Sequence, residues 1–164
     1  MVIHVSRDAF LGTYVNDHLA GATGGVDLIR RLAAAERQTD YGPELRRLAA
    51  EIAEDHRSLL GIMGALDVPR AKHKEALAWA GEKVGRLKFN GRLFSRSPLS
   101  RVVELEAMRL GVEGKAAAWR TLRQRAVGDS RLDVAELDRL LERANAQSEA
   151  LERLRMRAVT EAFG

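Results

Sequence analysis

The chain has no cysteine, only three prolines, and aromatic residues at 5% of its 164 positions. Without cysteine there can be no disulfide, no thiolate nucleophile and no zinc–sulfur site. The shortage of aromatic and β-branched residues argues against an extended sheet. Long apolar runs are missing too. The longest uncharged stretch, Ser58 to Leu66, is far short of the roughly 20 residues needed to span a bilayer. The opening residues Met1 to Ser6 lack the basic start and apolar core of a signal peptide. The expectation from these absences is a soluble, cytoplasmic protein. Recognised catalytic motifs are also missing: no Gly-Lys-Ser/Thr follows Gly21 to Gly25, and no Gly-x-Ser-x-Gly elbow occurs.

What the chain does have is Ala, Leu, Arg and Glu, the strongest helix formers. Its length suits a single domain over 1–164, and the apolar pattern predicts five helices. The first, about 7–38, starts at a Ser6 cap with Asp8 in its first turn. Its apolar stripe (Leu11, Val15, His18, Ala22, Ile29 and Leu32) keeps phase across Gly21 to Gly25, which favours one continuous helix over a break. The second, about 43–66, opens with Pro43 and Glu44 and carries Leu45, Leu48, Ile52, Asp55, Leu59 and Ile62 on one stripe.

A shorter helix is expected over 70–87, inside a long crossover. Ser97-Pro98 opens the next helix, about 98–125, which has two apolar sides. Leu99, Val103, Leu110 and Ala117 form one; Leu105, Met108, Val112 and Trp119 form the other. A helix apolar on two sides is covered on both, here by the bundle and by either the crossover or a second subunit. The last helix, about 133–162, starts at Asp133 with Glu136 three residues on, a capping-box-like pair.

The connections run short, long, short, as in bundles with one long crossover. In that order of connections and in helix length the chain resembles the ferritin-like superfamily, over nearly its whole extent. The resemblance implies an all-α, ferritin-like four-helix bundle with a fifth, shorter helix in the crossover. In members with di-iron centres, Glu-x-x-His from two helices joins a Glu from each of the others. Here the residues three before the four histidines are Met1, Val15, Ala53 and Arg70, so that pattern is missing.

Polar residues still fall mid-bundle. In the implied topology Asp55, His56, Glu113 and Gln147 reach similar heights, with Glu106 two turns from Glu113. Asp55, His56 and Glu113 are therefore candidate ligands for iron or manganese in a non-standard site. The competing expectation is a buried polar network, because buried charges persist only when paired. His18 reads as a core histidine.

The basic charge is concentrated. Arg70 to Arg101 holds nine Lys/Arg against two Glu, while the rest holds eighteen against twenty-one acids. Within residues 83–96, Lys83, Arg86, Lys88, Arg92 and Arg96 alternate with Leu87, Phe89, Leu93 and Phe94. Such a segment can bind nucleic acid, an anionic membrane or an acidic protein. It can equally anchor itself to the bundle through its apolar members. The function these features favour is a non-enzymatic interaction or scaffold protein that requires no cofactor and forms a homodimer through the second apolar side of the 98–125 helix. A degenerate metal-binding bundle and an anionic-surface binder are the alternatives.

Overall fold

A computed structural model describes residues 6–71 and 97–164. Among them are four helices: α1 (Arg7–Ala35), α2 (Gly42–Ala65), α3 (Pro98–Ala126) and α4 (Val134–Phe163). The described residues contain no strand. The helix expected over 70–87 falls on residues outside this set, except for Arg70 and Ala71, which are not helical.

Local chemistry sets the helix ends. Ser6 Oγ accepts from the Ala9 amide at 3.2 Å, and Ser97 Oγ from the Ser100 amide at 3.2 Å. Asp133 accepts from the amides of Ala135 and Glu136 at 2.9 and 3.3 Å. Each satisfies donors that the first helical turn leaves orphaned. α1 runs unbroken through its glycines, as its pattern predicts. It stops at Ala35, before the expected 38, because the chain turns tightly into α2. Thr39 and Gly42 donate back to the carbonyls of Glu36 and Thr39. Gly42 is required in this turn: a Cβ there would lie 2.8 Å from the Glu36 carbonyl oxygen. Just past the end of α2 stands Asp67, the one described non-glycine residue with positive φ (56°), a conformation Asp tolerates better than most residues.

Ties between helices give their directions. Tyr14 Oη meets Thr121 Oγ1 at 3.0 Å, and Arg101 Nε meets Glu36 Oε1 at 2.9 Å, so α1 and α3 are antiparallel. Arg157 pairs with Asp40, and Arg131 reaches the Leu66 carbonyl, so α2 and α4 are antiparallel. It follows that α2 and α3 are parallel diagonals, and that Ala71 and Ser97 lie at opposite ends of the bundle. This is an all-α four-helix bundle with connectivity compatible with a ferritin-like topology.

The backbones of α3 and α4 pack most intimately, those of α1 and α2 next, and α1 also rests on α3. Ile29, Leu45, Leu48, Leu105, Leu122 and Leu151 are fully buried at the centre. On α1 the observed core is Val15, Leu19, Val26, Ile29 and Leu32, leaving His18 half-buried at its edge. Of the two apolar sides of α3, Leu105, Met108, Val112 and Trp119 form the buried one. Leu99, Leu110 and Ala117 face outward, with Val103 half-buried.

Two polar devices fix the ends. Where α2 gives way to the crossover, the Asn16 carboxamide donates to the Pro69 carbonyl (3.1 Å) and accepts from the Ala71 amide (2.8 Å), holding that strand of chain on α1. At the other end Tyr41 is buried between two guanidiniums, with Arg101 4.5 Å and Arg157 4.6 Å from its ring centre. Arg101 also grips the buried Glu36 carboxylate with Nε and Nη2 and reaches Glu161 at 2.6 Å. One side chain thus ties the start of α3 to the α1–α2 turn and to the end of α4.

Candidate functional site

Asp55 sits on the core stripe of α2 and is 1% exposed. A carboxylate so placed needs partners with charge, and α3 and α4 supply them. Arg143 of α4 donates to Oδ1 through Nε (2.8 Å) and Nη2 (2.5 Å). Lys115 of α3 donates to Oδ2 at 2.5 Å. The Gln147 amide of α4, itself fully buried, donates to Oδ2 at 3.1 Å and accepts from Lys115 at 2.5 Å. Four donors therefore fill the acceptor capacity of the carboxylate. Glu54 pairs with Arg143 at 2.9 Å, and Glu51 accepts from Gln147 at 3.2 Å, so the surplus positive charge is balanced at the rim. Burial holds the Lys115 amine below its ordinary pKa, and the Asp55 charge opposes that shift. The cluster spans the gap between α2 and α4, the adjacent pair whose backbones stay further apart than those of α3 and α4.

The other two expected ligands point elsewhere. His56 follows Asp55 on α2 but turns toward α1, where Nε2 meets Thr23 Oγ1 at 3.2 Å. Glu113 accepts from Ser148 Oγ at 2.5 Å on the α3–α4 seam, and Glu106 takes Arg155 at 3.3 Å. The structure therefore brings Asp55 and Gln147 together and separates both from His56 and Glu113. Among the described residues no group of three His, Asp or Glu side chains is arranged to hold a metal ion. Lys83, Arg86, Lys88, Arg92 and Arg96 all lie outside the described residues. Among the described residues no helix is long and apolar enough to cross a membrane.

Lys115 and Arg143 are the members of the cluster that sequence reasoning missed. For Lys115 a signal exists: Met108, Val112, Lys115, Trp119 and Leu122 step by three and four along the buried side of α3, and the lysine is the only charge among them. An open groove of about 630 Å³ lies on the outer α3–α4 seam, where Arg109, Arg120 and Arg153 are interspersed with Glu113, Glu149 and Glu152. Three basic and three acidic side chains line it.

Both described histidines have lowered pKa values. Burial is the main cause at His18, whose ring lies edge-on to Tyr14 at 4.5 Å. Burial again leads at His56, reinforced by Arg70, Arg30 and Arg57. The unfolded chain therefore takes up these protons first as pH falls. Stability from both groups is complete above about pH 6.5 and declines below it, toward the folded-state pKa values. The urea midpoint is expected to fall between pH 7.5 and 5.5, and to fall less in a His18→Gln, His56→Gln double variant. Equal drops in the two proteins would refute the assignment.

Comparison of the chain with protein-family models, with curated proteins and with solved structures finds no match.

Proposed function

We propose that this chain is a ferritin-like bundle that serves as a non-enzymatic interaction or scaffold protein and associates with a second copy of itself through the outward side of α3. The observation that carries this reading is the composition of that side. Leu110 is 73% exposed and Leu99 48% exposed, on a face that continues through Val103 and Ala117. Isolated exposed leucines are ordinary on protein surfaces. A run of apolar and small residues along one helix face is the pattern of a surface that is covered. The Asp55 cluster supports a structural part for the mid-bundle charges, since each polar atom there is engaged by another and none is presented to a ligand.

Sedimentation velocity tests the reading. The wild-type protein is expected to sediment as a dimer at micromolar concentration. Burying a leucine is worth about 1.5–3 kcal/mol, and a two-fold interface loses it from both copies. Leu110→Glu is therefore expected to weaken association by well over tenfold without lowering the urea midpoint. A wild-type protein that remains monomeric at high micromolar concentration would sink the proposal.

A further inference from the structure

Building on that self-association, we infer that the two copies pack antiparallel along α3, with Leu110 of each copy seated over Gly114 of the other and Glu106 of each facing Arg120 of the other. The outer sector of α3 carries Leu110, Ala117 and Thr121, which are exposed, and Val103, Ala107 and Gly114, which are half-buried; Thr121 also bonds Tyr14 of α1 at its edge. From Leu99 to Thr121 no charged residue falls within it. At 1.5 Å per residue this uncharged stripe is about 33 Å long.

Its relief is uneven. Leu110 is a prominent knob, and one turn further on is a hollow. A Cβ added at Gly111 or Gly114 would meet nothing within 4 Å. Parallel packing in register would set knob against knob and hollow against hollow. Reversing one copy about a point near Val112 sets Leu110 over Gly114, Ala107 against Ala117 and Val103 against Thr121. The knob then fills the hollow at the Leu110–Gly114 layers, and the small pair Ala107–Ala117 lets the backbones approach beside them, as in the knobs-into-holes packing of paired helices.

The charges along one edge of the stripe select the same orientation. Glu106, Glu113 and Arg120 follow one another at steps of seven. In antiparallel packing an edge meets the same edge of its partner, so Glu106 faces Arg120 at both ends of the contact, as an isologous interface requires. Parallel packing would set this edge against the opposite edge of the partner and leave that pairing unmade. Glu113 falls near the two-fold axis, and it is turned toward α4 by its bond to Ser148. Arg120 has no ion-pair partner among the described residues. A standard interface buries about 800 Å² per partner; the stripe supplies its apolar centre, and the flanking faces of α1 and α4 its rim.

Disulfide trapping tests the register, and the absence of native cysteine makes every disulfide informative. Ala107→Cys and Ala117→Cys proteins are oxidised mildly, separately and as an equal mixture. In the proposed packing residue 107 faces 117, whereas each residue is offset from its own copy by about 15 Å along the helix, beyond disulfide reach. The covalent dimer is expected chiefly in the mixture. Strong cross-linking of Ala107→Cys alone would mean parallel packing and overturn the inference. A dimer by sedimentation that shows no enrichment in the mixture would place the contact on another face, with the same consequence. A monomeric wild-type protein would remove the underlying reading itself, including the case in which another segment of the chain covers the stripe.

Discussion

Replacing Asp55 with alanine is expected to destabilise the bundle by about 3–5 kcal/mol, the usual cost of removing one partner from a buried ion pair. The loss has two parts. Four donors lose their acceptor, and Lys115 and Arg143 are left in the interior with no carboxylate between them. Lys115 can relieve part of this by losing its proton, since burial already lowers its pKa. Arg143 cannot do so, because a guanidinium stays charged at any ordinary pH, and it keeps only Glu54 at the rim. Asp55→Asn, which keeps the shape and one acceptor but loses the charge, should fall between wild type and alanine. Replacing Asp55, Lys115 and Arg143 together with apolar residues of similar volume should recover most of the loss, because burying an ion pair is itself costly. Urea unfolding with an unchanged slope measures all of these. An Asp55→Ala protein within 1 kcal/mol of wild type would mean that water reaches the cluster.

The second large effect is expected at Arg101. Its guanidinium makes two bonds to the buried Glu36 carboxylate, one to Glu161, and lies over the Tyr41 ring. Hydrogen bonds to charged groups contribute about 1.5–3 kcal/mol and a partly buried cation–π contact about 0.5–2. These overlap in one side chain, so Arg101→Met is expected to cost about 2–4 kcal/mol. Arg101→Lys should recover less than half of that, since an ammonium lacks the planar fork that holds Glu36 and stacks on Tyr41. Amide exchange should quicken first in the opening turns of α3 and in the α1–α2 turn, which this residue joins. Full recovery by lysine would show that charge alone matters and would contradict the geometry.

The pattern of apolar residues was enough to place the four described helices, and Ser6, Ser97 and Asp133 marked three of their starts. The short connections joined α1 to α2 and α3 to α4, the pairs that pack most closely, while the stripes left the order of neighbours between the pairs open. The site was less legible, for geometric reasons. Asp55 and His56 are consecutive, so on a helix they diverge by about 100° and cannot serve one centre between the same two neighbours. Glu113 and Lys115 are two apart and point about 200° from each other. The inward position of Lys115 assigns Glu113 to the outer seam. Height along the bundle was read correctly for Asp55 and Gln147; azimuth was what failed for His56 and Glu113. Arg143 could not be found from its position, because it lies beside the core stripe of α4 and reaches Asp55 only through the length of its side chain.

The Asn16 clamp has a consequence for the topology of the whole molecule. Chain leaving α2 must travel the length of the bundle to enter α3, and it can set out along the α1 flank or the α4 flank. The two routes give connections of opposite hand around the same four helices, with the same core and the same helix neighbours. By engaging both the carbonyl of Pro69 and the amide of Ala71, one carboxamide starts the chain on the α1 side. The direction in which the chain leaves α2 is thus fixed by a polar contact of two hydrogen bonds.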